Sequence, residues 1–196
     1  MSQQDLFGDI APPPALTDRI FFALMPDAGA IASIAALTAE LKAQHGMRGR
    51  PIADLKLHAT LCNLGDFPGM PEAQLVRAAR AAASAAASTA PFVASFDTAQ
   101  TFINRARNRP FVLTGSDGVI GVNALYKTLA SAMLKAGLPP VSSSYTPHIT
   151  LLYDDVTAAP QAVAPVEWRV RELVLLHSRI GQSLPYAILG RWPLQG

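Results

Sequence analysis

The sequence predicts a domain of alternating strands and helices, built as two similar halves around one cleft. Three observations carry that expectation. Two His-x-Thr tripeptides, His58-Ala59-Thr60 and His148-Ile149-Thr150, stand ninety residues apart in apolar, strand-like runs. An Arg-x-Phe strand start, Arg19-Ile-Phe21 or Arg109-Pro-Phe111, precedes each histidine by 39 residues, counted from the arginine. Each half also carries a helical segment between its strand start and its tripeptide. Real duplication would relate the halves by a pseudo-twofold axis and bring the two His-x-Thr strands together at a central cleft.

In order, residues 1–18 read as a disordered tail, polar at first and then Ala11-Pro-Pro-Pro14, which disfavours a packed element. Arg19 to Met25 is a buried strand closed by Pro26-Asp27. From Ala28 to about Gln44, Ile31, Ile34, Leu37 and Leu41 recur at amphipathic-helix spacing. His45-Gly46 ends that helix, glycine being the usual residue just past a helix C-terminus. The first His-x-Thr strand runs to near Gly65. Pro71 to Ser88 is alanine-rich and reads as a helix with proline in its first turn. A strand from Phe92 and a polar turn over Asn104–Arg109 complete the first cycle. The second opens with Pro110–Thr114, continues with a helix from about Val119 to Ala136, and reaches the second His-x-Thr strand. Trp168–Ser178 and Leu184–Trp192 read as two closing strands around a turn at Gly181.

Composition narrows the class. A chain of 196 residues, 50% hydrophobic, suits one compact domain or two small lobes sharing a core. The sole cysteine, Cys62, excludes an intrachain disulfide and fits a reducing compartment. No apolar run reaches bilayer-spanning length, and the N-terminus lacks the pattern of a signal peptide. A soluble cytoplasmic protein is the expectation. A net charge of +2 is too small for coating duplex nucleic acid by charge alone, whereas a short, locally held anion is compatible.

In a strand, alternate side chains share a face, so each tripeptide aims one imidazole and one hydroxyl the same way. Histidine titrates near neutrality, at about 6.5, so one ring can be neutral while the other is charged. A neutral imidazole takes a proton from attacking water and a protonated one gives a proton to a departing oxygen, each step contributing on the order of 10²–10⁴ in rate. The threonine hydroxyls at i+2 can donate to the nonbridging oxygens of a phosphoryl group. No metal or cofactor is required by this arrangement, and a zinc site lacks its usual close ligand spacing.

The two motifs resemble those of the 2H phosphoesterase superfamily. Within it the chain is similar to the RNA 2′,3′-cyclic phosphodiesterases historically called 2′-5′ RNA ligases. The likeness runs through Arg19–Leu24, Leu57-His-Ala-Thr-Leu-Cys-Asn-Leu-Gly65, Pro147–Leu152 and Leu189-Gly-Arg-Trp-Pro-Leu194, and so spans about residues 19–194. The resemblance implies an α+β, bilobal, pseudo-twofold LigT-like fold over residues 19–196, with two antiparallel sheets flanked by helices around the cleft. The implied activity is metal-independent opening of a ribose 2′,3′-cyclic phosphate to a 2′-phosphomonoester. Carried onto this sequence, His148 activates water, His58 protonates the leaving 3′ oxygen, and Thr60 and Thr150 hold the phosphate. Pseudo-symmetry permits the two histidines to exchange roles. Small cyclic nucleotides, 2′-5′ oligonucleotides and non-catalytic binding of RNA ends are the alternatives. One departure stands out. Relatives often carry arginine just after the second motif, and here Tyr153 occupies that place. Lys56, Arg105, Arg107, Arg109 and Arg179 are candidate replacements.

Blander roles are expected elsewhere. Cys62 shares the face of His58 and Thr60 if its strand stays regular, as a small packed residue at the cleft edge. His177 reads as structural or surface, His45 as a helix-end residue, and Phe22 as core. Tyr145 and Trp168 are open between core packing and stacking on a base. Gln3-Gln-Asp-Leu-Phe7 resembles the short peptides by which bacterial proteins dock onto the replication sliding clamp. The partners expected are RNA ends or small cyclic phosphates, with the chain a monomer.

Overall fold

The computed structural model describes residues 13–196, so the clamp-like peptide at residues 3–7 lies outside it. Among the described residues the chain forms β1 (Asp18–Leu24), α1 (Ala28–Gln44), β2 (Ala59–Phe67), α2 (Glu72–Ala87), β3 (Phe92–Thr101) and β4 (Arg109–Thr114). It continues with α3 (Ile120–Lys135), β5 (His148–Asp154), β6 (Gln161–Val170), β7 (Glu172–Arg179) and β8 (Ala187–Pro193). These strands build one antiparallel sheet in the order β6-β3-β4-β5-β2-β1-β7-β8. Its two central strands, β2 and β5, share a single residue pair, Ala59 with Ile149. The expected two sheets are therefore four-stranded lobes that meet at one point of backbone pairing. Their strand order reads the same from the centre outward, with β2 and β1 matching β5 and β4. The equal 39-residue intervals have this physical counterpart.

Local chemistry explains most boundaries. Ile20–Leu24 of β1 is apolar throughout and buried, as expected of an inner strand covered on both faces. Asp27 caps α1 by accepting from the Ala30 N–H at 2.9 Å. That helix ends at His45, followed by Gly46 at φ 64°, a left-handed conformation that glycine adopts at little cost. Helix α2 begins at Glu72, so Pro71 sits at the cap and not inside the first turn. Its buried stripe of Ala78, Ala81, Ala82, Ala85 and Ala86 allows close approach to α3, which contributes Val122, Leu125, Leu129 and Met133.

The end of the chain departs from expectation. The stretch read as one strand, Trp168–Ser178, is two: β6 ends at Val170 and β7 begins at Glu172. They belong to opposite lobes, since β6 pairs with β3 and β7 with β1. Most of β6 was hidden by Pro165 in an alanine-rich stretch. As an edge strand it tolerates a proline, and the β3–β6 register shifts between Phe96 and Thr98, opposite that segment. Helix α1 packs on β6, while α3 packs on β2 and β3, so the core runs under both lobes.

Candidate active site

The floor of the cleft follows from strand alternation. Ala59, Leu61, Ile149 and Leu151 point into the core and are at most 3% exposed. His58, Thr60, His148 and Thr150 point the other way, into a cleft of about 270 Å³. In the antiparallel register set by Ala59 and Ile149, His58 stands across from Thr150 and Thr60 across from His148. The sequence-predicted residues are thus brought together. His58 itself lies one residue before the regular part of β2.

Past each motif the alternation breaks in the same way. Between Ala23–Thr60 and Phe21–Asn63, β1 advances two residues and β2 three, so β2 carries a bulge. Leu61 and Cys62 are both buried as a result, and Asn63 turns into the cleft. Strand β5 does likewise: its register shifts opposite Phe111 and Val112, Leu151 and Leu152 are both buried, and Tyr153 turns in. The expectation that Cys62 shares the face of His58 is therefore corrected, because the strand is not regular. Burial pushes the Cys62 thiol up to about 12, so it holds its proton at neutral pH.

The imidazoles are fixed by matching bonds. His58 Nδ1–H donates to the Lys56 carbonyl at 2.7 Å, and His148 Nδ1–H donates to the Thr146 carbonyl at 2.8 Å. A carbonyl oxygen only accepts, so Nδ1 carries the proton in both rings whatever their charge. Nε2 is left to exchange protons in the cleft. At neutral His58 it accepts from the Thr60 hydroxyl at 3.0 Å. His58 is half-buried, 5.1 Å from the ring of Phe21 and 5.3 Å from that of Tyr186 between centroids. Burial lowers its pKa below the ordinary histidine value; the Lys56 bond opposes this, and the nearby His148 adds to it. Phe102 lies edge-on to His148 at 5.1 Å.

The other residues singled out from sequence separate cleanly. His177 accompanies the core-facing residues of β7 and pairs with Asp18 at 2.5 Å, so it is structural. His45 closes α1 as expected. Phe22 is fully buried, and Trp168 stacks on Phe96 in the core at 5.4 Å. Tyr145 stacks on Tyr126 at 4.0 Å and donates its hydroxyl to the Thr60 carbonyl at 2.9 Å. It thereby ties the approach to the second motif to the strand of the first. Of the five candidate cations Lys56 alone lines the cleft, joined there by Arg19, which the sequence marks only as a strand start.

An antiparallel sheet of two equivalent lobes, each presenting a His-x-Thr pair to a shared cleft, is the arrangement expected of a two-histidine phosphoesterase. The sequence model of the 2′-5′ RNA ligase superfamily matches residues 26–182, and the chain belongs to that family. No curated protein matches it. Among solved structures, TT0787 of Thermus thermophilus is similar in fold, at 24% identity and a TM-score of 0.73 over 91% of this chain and 98% of that one. Escherichia coli LigT in its apo form matches at 24% identity and 0.70, over 93% and 100%. LigT complexed with 3′-AMP matches at 26% identity and 0.67, over the same shares.

Proposed function

We propose that this protein hydrolyses ribose 2′,3′-cyclic phosphates at RNA ends to 2′-phosphomonoesters, without a metal ion. The observation that carries this reading is the pair of imidazoles whose Nδ1 atoms are occupied by backbone carbonyls, so that both Nε2 atoms serve one cleft beside two threonine hydroxyls. Water attacks phosphorus, the bond from phosphorus to O3′ breaks, His148 takes the water proton and His58 delivers one to O3′. Thr60 and Thr150 donate to the nonbridging oxygens, where charge accumulates. LigT has been crystallised with 3′-AMP and with phosphate, which supports a nucleotide phosphate as the ligand class. The small cleft volume also favours a second substrate of the same chemistry, a cyclic mononucleotide.

The test is incubation of the purified protein in EDTA with 2′,3′-cyclic-phosphate RNA and with 2′,3′-cyclic mononucleotides, followed by product analysis. Formation of 2′-phosphate ends is expected. No turnover of either substrate, or turnover only after metal is added, rejects the reading; tight binding without turnover identifies a binding module.

Titration follows from the site. As the acid, His58 must be protonated to act, and burial lowers its pKa in the free protein. The alkaline limb of kcat/KM is therefore expected below about 6.5. The negative charge of bound phosphate favours the imidazolium, so the corresponding limb of kcat moves to higher pH. An NMR titration of the His58 ring, with and without inorganic phosphate, assigns the limb to a residue. A His58 pKa that stays unchanged on phosphate binding removes this assignment.

A further inference from the structure

A singly charged phosphodiester held between two histidines calls for a cation, and the position after the second motif supplies the neutral Tyr153. The basic residues near the cleft are mostly committed elsewhere. Arg19 lines it, but its Nε and Nη2 both donate to the Asp66 carboxylate at 2.7 Å, so its charge is matched. Arg105 lies over the ring of Tyr153 at 5.3 Å but does not itself line the cleft. Arg107 pairs with Asp155, and Arg109 donates to the carbonyls of Arg105 and Asp155. Lys56 differs from all of these. Among the described residues it has no carboxylate partner, it lines the cleft, and its Nζ stands 5.5 Å from the centroid of Tyr186. The same ring lies edge-on to His58. The backbone of Lys56 accepts from His58 Nδ1, so one residue both fixes the imidazole and carries the uncommitted charge. Thr146 holds the equivalent backbone position in the other half and is neutral.

We propose that Lys56 is the phosphate-binding cation of this cleft, its ammonium held over the face of Tyr186 and directed at a nonbridging oxygen of the scissile phosphate. The inference rests on the phosphodiesterase reading for its substrate, but not for its test. An ammonium over an aromatic face is attracted to the ring while keeping its donors free. Charge is thus delivered from the side of His58, not of His148, and the two half-sites are chemically unequal despite their shared backbone.

The experiment compares wild type with Lys56→Gln, Lys56→Arg, Arg19→Gln and Arg107→Gln. Inorganic phosphate is titrated while the His58 and His148 ring signals are followed by NMR, and turnover of 2′,3′-cyclic mononucleotides is measured separately. Lys56→Gln is expected to weaken phosphate binding about tenfold or more and to lower kcat/KM on the order of 10²-fold. Lys56→Arg is expected to recover part of both, and Arg107→Gln to match wild type. Unchanged phosphate binding in Lys56→Gln overturns the proposal, as does a loss confined to Arg19→Gln or a wild type that binds no phosphate. Lys56-dependent phosphate binding without turnover instead rejects the phosphodiesterase reading and leaves the cation site standing.

Discussion

Removing either imidazole, as His58→Ala or His148→Ala, is expected to cut turnover of the cyclic phosphate by on the order of 10²–10⁴. Each ring is fixed at Nδ1 by a carbonyl two residues upstream, so each contributes only its Nε2 to chemistry. The double variant is expected to lose little more than the worse single one, because an acid and a base that act in one transition state are not additive. Stability should change little by comparison. His148→Ala loses one hydrogen bond and His58→Ala two, each of about 0.5–1.5 kcal/mol net, from side chains facing the cleft and not the core. Melting curves measured beside the rates separate the two effects. Full activity in either single variant would remove the paired acid–base mechanism.

The likeness of the two halves was legible because their strand-to-motif spacing is equal. Equal intervals from Arg19 to His58 and from Arg109 to His148 place four strands, and the sheet order confirms their equivalence. The two histidines and two threonines were legible for the same reason, since alternation fixes their face once the strands exist. The bulges were not. An extra residue leaves no mark in a pattern of period two, so Cys62 was expected at the cleft edge where Asn63 stands. The repeated apolar doublets, Leu61-Cys62 and Leu151-Leu152, were a usable signal: two consecutive buried residues in a strand that is polar on its other face imply a register shift. Arg19 reaches the cleft, and Tyr186 the ring of His58, through tertiary placement alone. The pairing of His177 with Asp18 spans 159 positions and has no local signature.

Gly49→Ala is expected to be the most damaging small substitution, although this residue has no place in the chemistry. The loop of residues 46–52 leaves α1, which packs on β6, and runs along β5 of that same lobe before the chain crosses to β2. Ile52 N–H donates to the Leu151 carbonyl at 2.7 Å, and Pro51 bridges to Leu152. Asp154 receives the N–H groups of Arg48 and Gly49 at 2.6 Å each. Its carboxyl is held below the usual range by the N–H of Val156 first, and then by those of Gly49 and Arg48. This loop therefore fixes where the chain leaves β5 on its way to the first His-x-Thr strand. A Cβ on Gly49 would sit 2.1 Å from the Tyr153 carbonyl oxygen, a backbone atom that no rotamer change can move. The loop must therefore lift from β5, at a cost on the order of 3 kcal/mol. At about 2–4 °C per kcal/mol for a chain of this size, Tm falls by roughly 6–12 °C. Ile52 and Tyr153 line the cleft, so kcat/KM should fall too, since a displacement of about 1 Å can cost on the order of 10²-fold. Gly46→Ala is the control. Its φ of +64° makes alanine unfavourable by roughly 1–2 kcal/mol, but nothing lies within 4 Å of its added Cβ. It should lower Tm less and leave kcat/KM near wild type. Equal Tm loss in the two variants would mean that backbone conformation, and not the contact with Tyr153, governs the loop. A Gly49→Ala protein with wild-type Tm and kcat/KM would mean that the loop yields to the added Cβ without disturbing β5 or the cleft.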